Sequence, residues 1–361
     1  MMSLSATNGR MNRWSRRLAL LLAVLTFPLI WVGGLVTTTD AGMAVPDWPN
    51  TYGYNMFLYP WKSWLLGPWD LFIEHGHRLL GALVGMVTIA LMVVVLKTDA
   101  RSWMRKLVIV ALVAVIAQGI LGGVRVRLND VTLAMIHGCT GPAFLVLTTI
   151  IAVMFSTFWQ NPVSPESSAA EADNKNEQNK DSEFIEDDKQ QFNASLRLAR
   201  FTTILVYCQL ILGASIRHIP VTTSPQTYSM LVIFHIGMAL AVTGHIVMLC
   251  LAIRCTKNLP QSIRSGAKQM GLLIVVQLLM GIGTWVLKFG WPAGLGNNKY
   301  LADHLVVTQG WFQSHVVTGH VAIGSVILVM AALLTTRLLR WQFVTRQLEA
   351  MEVIETSELM N

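Results

Sequence analysis

Eight apolar runs, each at or near the length that crosses a ~30 Å hydrocarbon layer as a helix, constrain this chain more than any other feature. They cover roughly residues 18–38, 74–96, 107–124, 132–158, 201–217, 230–252, 270–288 and 311–336, the fifth being the shortest. In lipid the backbone N–H and C=O groups must be satisfied within the protein, so such runs form helices. Of 361 residues 53% are hydrophobic and only 13% charged, which excludes a soluble domain. The expected fold is all-α: a polytopic membrane protein of eight transmembrane helices arranged as two tandem four-helix bundles.

Basic residues give an orientation. Arg10, Arg13, Arg16 and Arg17 precede span one, Lys97, Arg101, Arg105 and Lys106 lie between spans two and three, Arg254, Lys257, Arg264 and Lys268 between six and seven, and Arg337, Arg340 and Arg346 after span eight. By the positive-inside rule both termini face the cytoplasm. With the basic residues around the start of span five, 20 of the 27 Lys and Arg lie on that side, so the net charge of +7 follows from topology and gives no reason to invoke nucleic acid. The first run imitates a signal peptide, but it is too long and lacks an A-x-A site, so it is read as a retained helix. The expected location is a bacterial inner (plasma) membrane, with the mitochondrial inner membrane as the alternative.

Residues 159–199 interrupt the pattern with the acid-rich run EADNKNEQNKDSEFIEDDKQQ. It reads as a disordered cytoplasmic linker between an N-terminal half, 1–158, and a C-terminal half, 200–340, which is followed by a cytoplasmic tail, 341–361. The halves look like a tandem repeat. Gln118-x-x-Leu121-Gly122, Gln209-x-x-Leu212-Gly213 and Gln277-x-x-Met280-Gly281 recur in spans three, five and seven, and His137-x-x-x-Gly141 in span four returns as His315-x-x-x-Gly319 in span eight. Glycines at these places let helices approach closely.

Four histidines, His77, His137, His235 and His315, each sit about one turn into the outer end of a different even-numbered span. Hydrocarbon disfavours polar side chains, so four imidazoles at one depth need a shared purpose, and bound metal is the leading one. Two facing helices that each offer an imidazole can hold a flat heme, with iron ligated from both faces. His77 with His137, and His235 with His315, would make two such sites side by side. His245 and His320 lie on other faces of their helices, with His320 the fallback if the repeat is aligned differently; His218 and His304 fall in outer loops, and His75 points away from His77.

His77 belongs to the string EHGHR at 74–78. Glu74 is three residues before it and shares its face, which suits either a helix start or a chemical task. Arg78, Arg125 and Arg127 lie near the same level, where guanidinium groups can pair with heme propionates or with lipid phosphates.

EHGHR, the His137-Gly138 pair, the loop string TTTDAGMAVPDWPNTYG at 37–53 and the two halves with histidines on even spans resemble heme A synthase, over nearly all of the chain except the acidic linker. The resemblance implies an enzyme that oxidises the C8 methyl group of heme O to the formyl group of heme A by successive hydroxylations, with the oxygen source, molecular oxygen or water, left open. It implies Glu74 as the catalytic carboxylate, His77 and His137 flanking the substrate heme, and His235 and His315 as ligands of a heme b cofactor. Implied partners are a heme O synthase (a farnesyltransferase), an electron donor such as a ferredoxin, and membrane lipids; self-association into a homo-oligomer is compatible with it. A diheme electron-transfer cytochrome b and a non-catalytic heme-binding assembly factor are the alternatives.

Two departures stand out. Many relatives carry a cysteine pair in the first outer loop, where this chain has Val45 and Thr51, so the loop has to be positioned by packing, for which Trp48, Trp61, Trp64 and Trp69 are available. Span six reads FHIGMA, so His235 has no adjacent arginine.

Overall fold

The computed structural model describes residues 13–160, 181–220, 222–290 and 310–359. Eight long helices run through them: α1 (Arg13–Thr38), α2 (Trp69–Thr98), α3 (Ser102–Leu128), α4 (Val131–Met154), α5 (Asp181–Arg217), α6 (Pro225–Cys255), α7 (Gln261–Phe289) and α8 (Trp311–Leu359). Each contains a stretch long and apolar enough to cross a membrane, so the protein is a multi-pass membrane protein. Among the described residues, the only other ordered pieces are single short helical segments at Met56–Leu58, Trp61–Leu65 and Thr157–Gln160 and an isolated bridge between Thr51 and Tyr54.

The turns are built from residues suited to them. Asn129 takes the left-handed conformation (φ 49°) that closes α3, and the next residue, Asp130, caps α4 by accepting from the Leu133 N–H at 2.8 Å. Ser224 caps α6 in the same way, with Pro225 at the first helical position. Hydroxyls inside the spans bond back to their own helix, as Thr26 does to the Leu22 carbonyl and Thr88 to that of Val84, so burial leaves these groups satisfied.

Two segments differ from the sequence reading. Helix α5 begins at Asp181, so residues 181–199 are helix rather than linker; residues 161–180 lie outside the described residues. Average polarity hides a narrow stripe in which Ser195, Leu196 and Ala199 are buried, with the Ser195 hydroxyl 3.0 Å from that of Thr256. Helix α8 likewise continues unbroken to Leu359 and takes in most of the expected tail.

Helices α1 to α4 pack in a ring, each against its chain neighbour and α4 back on α1, and α5 to α8 repeat this ring. The rings meet where α8 lies on α1 and α4, and where α5 touches α4. Leu145 of α4 packs with Val329 and Leu333 of α8 across this boundary. Each ring has its own apolar core, one centred on Leu22, Val84, Leu91, Met104 and Phe155, the other on Ile246, Leu249, Ile263, Met270 and Leu334. Both cores lie on the basic side of the histidines along their helices. At the other end a smaller apolar cluster, Leu35, Val36, Ala41 and Ile73, lies beside the histidines.

Candidate functional site

Four imidazoles at that end are seated by one repeated device. A Cβ on Gly33 of α1 would stand 2.7 Å from Cε1 of His77; on Gly122 of α3, 3.2 Å from Cε1 of His137; on Gly213 of α5, 3.1 Å from Cε1 of His235; and on Gly281 of α7, 3.2 Å from Cε1 of His320. Each odd helix thus gives up a side chain so that the ring on the following even helix can lie against its backbone. The Asn129–Asp130 turn shows how level is set: Gly122 is six residues before the end of α3 and His137 six residues after the start of α4, so equal helical rise brings them together.

The rings form two pairs. His77 and His137 have centroids 6.4 Å apart with planes at 89°; His235 and His320 are 6.3 Å apart at 70°. A metal–imidazole bond is about 2 Å and a ring nitrogen lies roughly 1 Å from its centroid, so two imidazoles on opposite sides of one metal have centroids about 6 Å apart. Nδ1 of His77, His137 and His320, like that of His245, is buried without a hydrogen-bond partner, so the pairing of the rings and not this feature marks the site. Among the described residues no group of three or more His, Cys, Asp or Glu could hold a metal ion. Two protein ligands per site fall short of a closed protein-only centre and suit a metal that brings its remaining ligands in a macrocycle.

The partner of His235 is therefore His320, a correction to the expected His315. Five residues along a helix turn the side chain by about 140° and move it ~7.5 Å. His315 sits in the first turn of α8, where its ring stacks on Trp311 at 4.0 Å and its Nδ1 is 2.8 Å from the Trp311 carbonyl oxygen. The glutamines of the repeat also reach the second pair. Gln209 Nε2 donates to the His235 carbonyl at 2.9 Å and lies 3.1 Å from its Nδ1, and Gln277 Nε2 is 3.5 Å from His320 Nε2. Gln118 turns instead to the Thr140 hydroxyl.

Over the first pair lies the loop after α1, and EHGHR is its anchor. The Glu74 carboxylate, 2% exposed, accepts from the Val45 N–H at 2.8 Å through one oxygen and from Arg78 at 2.8 Å through the other. Arg78 also donates to the carbonyls of Val45, Asp47 and Asn50 at 2.6, 2.7 and 3.0 Å. Both Nη groups are thus spent on the loop and Glu74, which leaves the Nε–H for the propionate expected from sequence. His75 Nδ1 is 3.0 Å from the Thr51 hydroxyl, and the ring packs against Tyr59 and Trp64. Val45 and Thr51 are thus both tied by polar contacts to one turn of α2. Trp48 lies directly on Gly123, next to the glycine that seats His137. Asp47 holds the tip: burial opposes its charged form, but N–H donors of Gly53 and Tyr52 and the nearby Arg78 outweigh it and lower its pKa.

Arg125 reaches under this loop, with Nη1 2.6 Å from the Cβ position of Gly42, while Arg127 is exposed beside Pro46 and Trp48. His218, read from sequence as a solvated loop residue, lies instead with Nε2 3.6 Å from the Cβ position of Gly138, next to His137. Burial first, then the charges of Arg217, Arg125 and His137, push its pKa down to about 4. His245 stacks edge-on to Phe201 at 5.0 Å, and His304 lies outside the described residues.

No curated protein matches the chain. Residues 69–224 match the COX15-CtaA family model, described as cytochrome oxidase assembly protein; the segment takes in EHGHR, His77, His137 and all of α3 to α5. Over that segment, less than half of the chain, it is similar to this family.

Proposed function

We propose that the protein is a heme A synthase, oxidising the C8 methyl group of heme O to the formyl group of heme A in two or more hydroxylation steps. The observation that carries this is the two imidazole pairs, with ring centroids 6.4 and 6.3 Å apart, so that each pair would hold one heme iron. In this reading His77 and His137 hold the substrate heme, and His235 and His320 hold a heme b. Heme b would supply electron transfer through its iron. The protein's own part is positioning. The glycines fix the depth and tilt of the imidazoles, and the loop anchored on Glu74 and Arg78 covers the first pair and limits water. The Glu74 carboxylate, three residues before His77 on the same helix, is held by the Val45 N–H and Arg78. With molecular oxygen as the oxidant, each hydroxylation would put one oxygen atom on the methyl carbon and release the other as water, using two protons and two electrons from a donor such as a ferredoxin; heme O would come from a farnesyltransferase in the same membrane.

The reading is tested by expressing the protein with and without a heme O synthase and identifying extracted hemes by chromatography and mass. Heme A is expected only when both are present. Glu74→Gln keeps the shape and the acceptor for the Val45 N–H but cannot ionise. Heme binding is expected to persist in this variant and heme A formation to fall steeply. Heme b alone in the doubly expressing cells would overturn the enzyme in favour of an electron carrier or a binding protein.

A further inference from the structure

The seam between the two rings at the histidine end carries positive charge that neither histidine pair uses. Arg217 ends α5, yet its Nη2 crosses to α1 and donates to the carbonyl of Gly34 and the hydroxyl of Thr38. Gly34 adjoins Gly33, on which His77 rests. The next residue, His218, lies against Gly138, which adjoins His137. Two consecutive residues of the second half therefore touch the helices that seat or carry both first-half imidazoles. Arg125 stands on the first-half side of the same space, near enough for its charge, like that of Arg217, to act on His218.

A guanidinium has five N–H donors, of which Nη2 supplies two. Nε and Nη1 of Arg217 have no hydrogen-bond partner among the described residues, and the ion pairs there are Glu74 with Arg78, Asp99 with Arg101 and Glu349 with Lys189, none of which involves Arg217 or Arg125. Charge held this way in a low dielectric is costly until an anion pairs with it. The position is one residue along from the points that seat the imidazoles, with Gly34 next to Gly33 and Gly138 next to His137.

The geometry points to a carboxylate-binding seam, made by Arg217 with Arg125 and His218, that takes an acid side chain of the tetrapyrrole held by His77 and His137. The second half thereby completes the site of the first. This rests on the heme reading of the first pair, and a planar carboxylate matches the two-pronged donor face of a guanidinium.

The test uses the full-length protein in detergent with the second pair occupied as purified. Ferric heme b and its dimethyl ester, which lacks free carboxylates, are titrated separately, and His137→Ala identifies the absorbance change that belongs to the first pair. The parent is expected to bind the free acid about tenfold to a hundredfold more tightly than the ester, the scale of one or two charge-assisted hydrogen bonds. Arg217→Gln should bind both forms with the affinity of the ester, and Arg217→Lys should keep part of the preference. Arg125→Gln, which leaves the bonds from Arg217 to α1 in place, should also reduce it, so the test stands even where Arg217→Gln fails to insert. No preference in the parent, or the same preference in the Arg217→Lys and Arg125→Gln variants as in the parent, would overturn the seam while leaving the histidine pair intact. If neither heme gives a His137-dependent signal in the parent, the heme reading of the first pair falls, and the seam with it.

Discussion

Adding one methyl group at the glycines that seat the imidazoles should separate the two histidine pairs. Apolar atoms rest about 3.5–4.0 Å apart. The Cβ of Gly122→Ala, Gly213→Ala or Gly281→Ala would meet Cε1 of its histidine at 3.2, 3.1 or 3.2 Å, whereas that of Gly33→Ala would meet His77 at 2.7 Å. The ring must therefore give way by about 0.3–0.4 Å in three variants and by about 0.8 Å in the fourth. Metal sites hold their ligand distances to about 0.2 Å, so all four substitutions should disturb ligation and Gly33→Ala should disturb it most. Overpacking of this kind costs about 1–3 kcal/mol. Replacing glycine by alanine in a helix returns about 1 kcal/mol, so the net loss of stability should be about 0–2 kcal/mol.

Gly85 and Gly119 provide the controls, because a Cβ there meets nothing within 4 Å. Alanine at either should hold or raise stability by up to about 1 kcal/mol and leave the heme spectrum unchanged. The assay is the low-spin absorption spectrum of the purified protein together with its thermal loss. Gly213→Ala and Gly281→Ala should alter the second-pair signal, and Gly33→Ala and Gly122→Ala only that of heme added to the first. Spectra of Gly33→Ala and Gly213→Ala indistinguishable from that of Gly119→Ala would refute the claim that these glycines exist to seat the rings.

His320→Ala should remove or convert the low-spin signal of the second pair, because one axial ligand is lost, while His315→Ala, which changes a ring stacked on Trp311, should leave it; the reverse result would restore His315 as ligand. Deleting 165–178 from the polar linker should preserve insertion and activity, since so few apolar residues bury little surface. Deleting 192–199 should abolish both, because it removes buried Ser195, Leu196 and Ala199 and shifts the register of α5 against α6 and α8; immunoblots of membranes and heme analysis read both outcomes.

What the sequence made legible, and what it hid, follows from the range over which each signal acts. Eight spans can be read because hydropathy is a local property of twenty or so residues, and His77, His137 and His235 stand out because an imidazole is costly in any apolar run. His320 was hidden by a degenerate motif, since His315-x-x-x-Gly319 and His320-x-x-x-Gly324 fit the repeat equally. The arbiter is level: Gly281 lies eight residues before the end of α7, His320 nine after the start of α8 and His315 only four, a count that needs the helix ends. The start of α5 escaped because a three-residue buried stripe barely changes the average polarity of an acidic segment. The loop-anchoring role of Arg78 was hidden for a different reason. Its acceptors are three backbone carbonyls 28 to 33 residues away, and a carbonyl has no letter in the sequence. Arg217 and His218 carry the same lesson across the half boundary: they sit at the end of an ordinary span, and only the packing of α5 against the first ring brings them to the glycines beside His77 and His137.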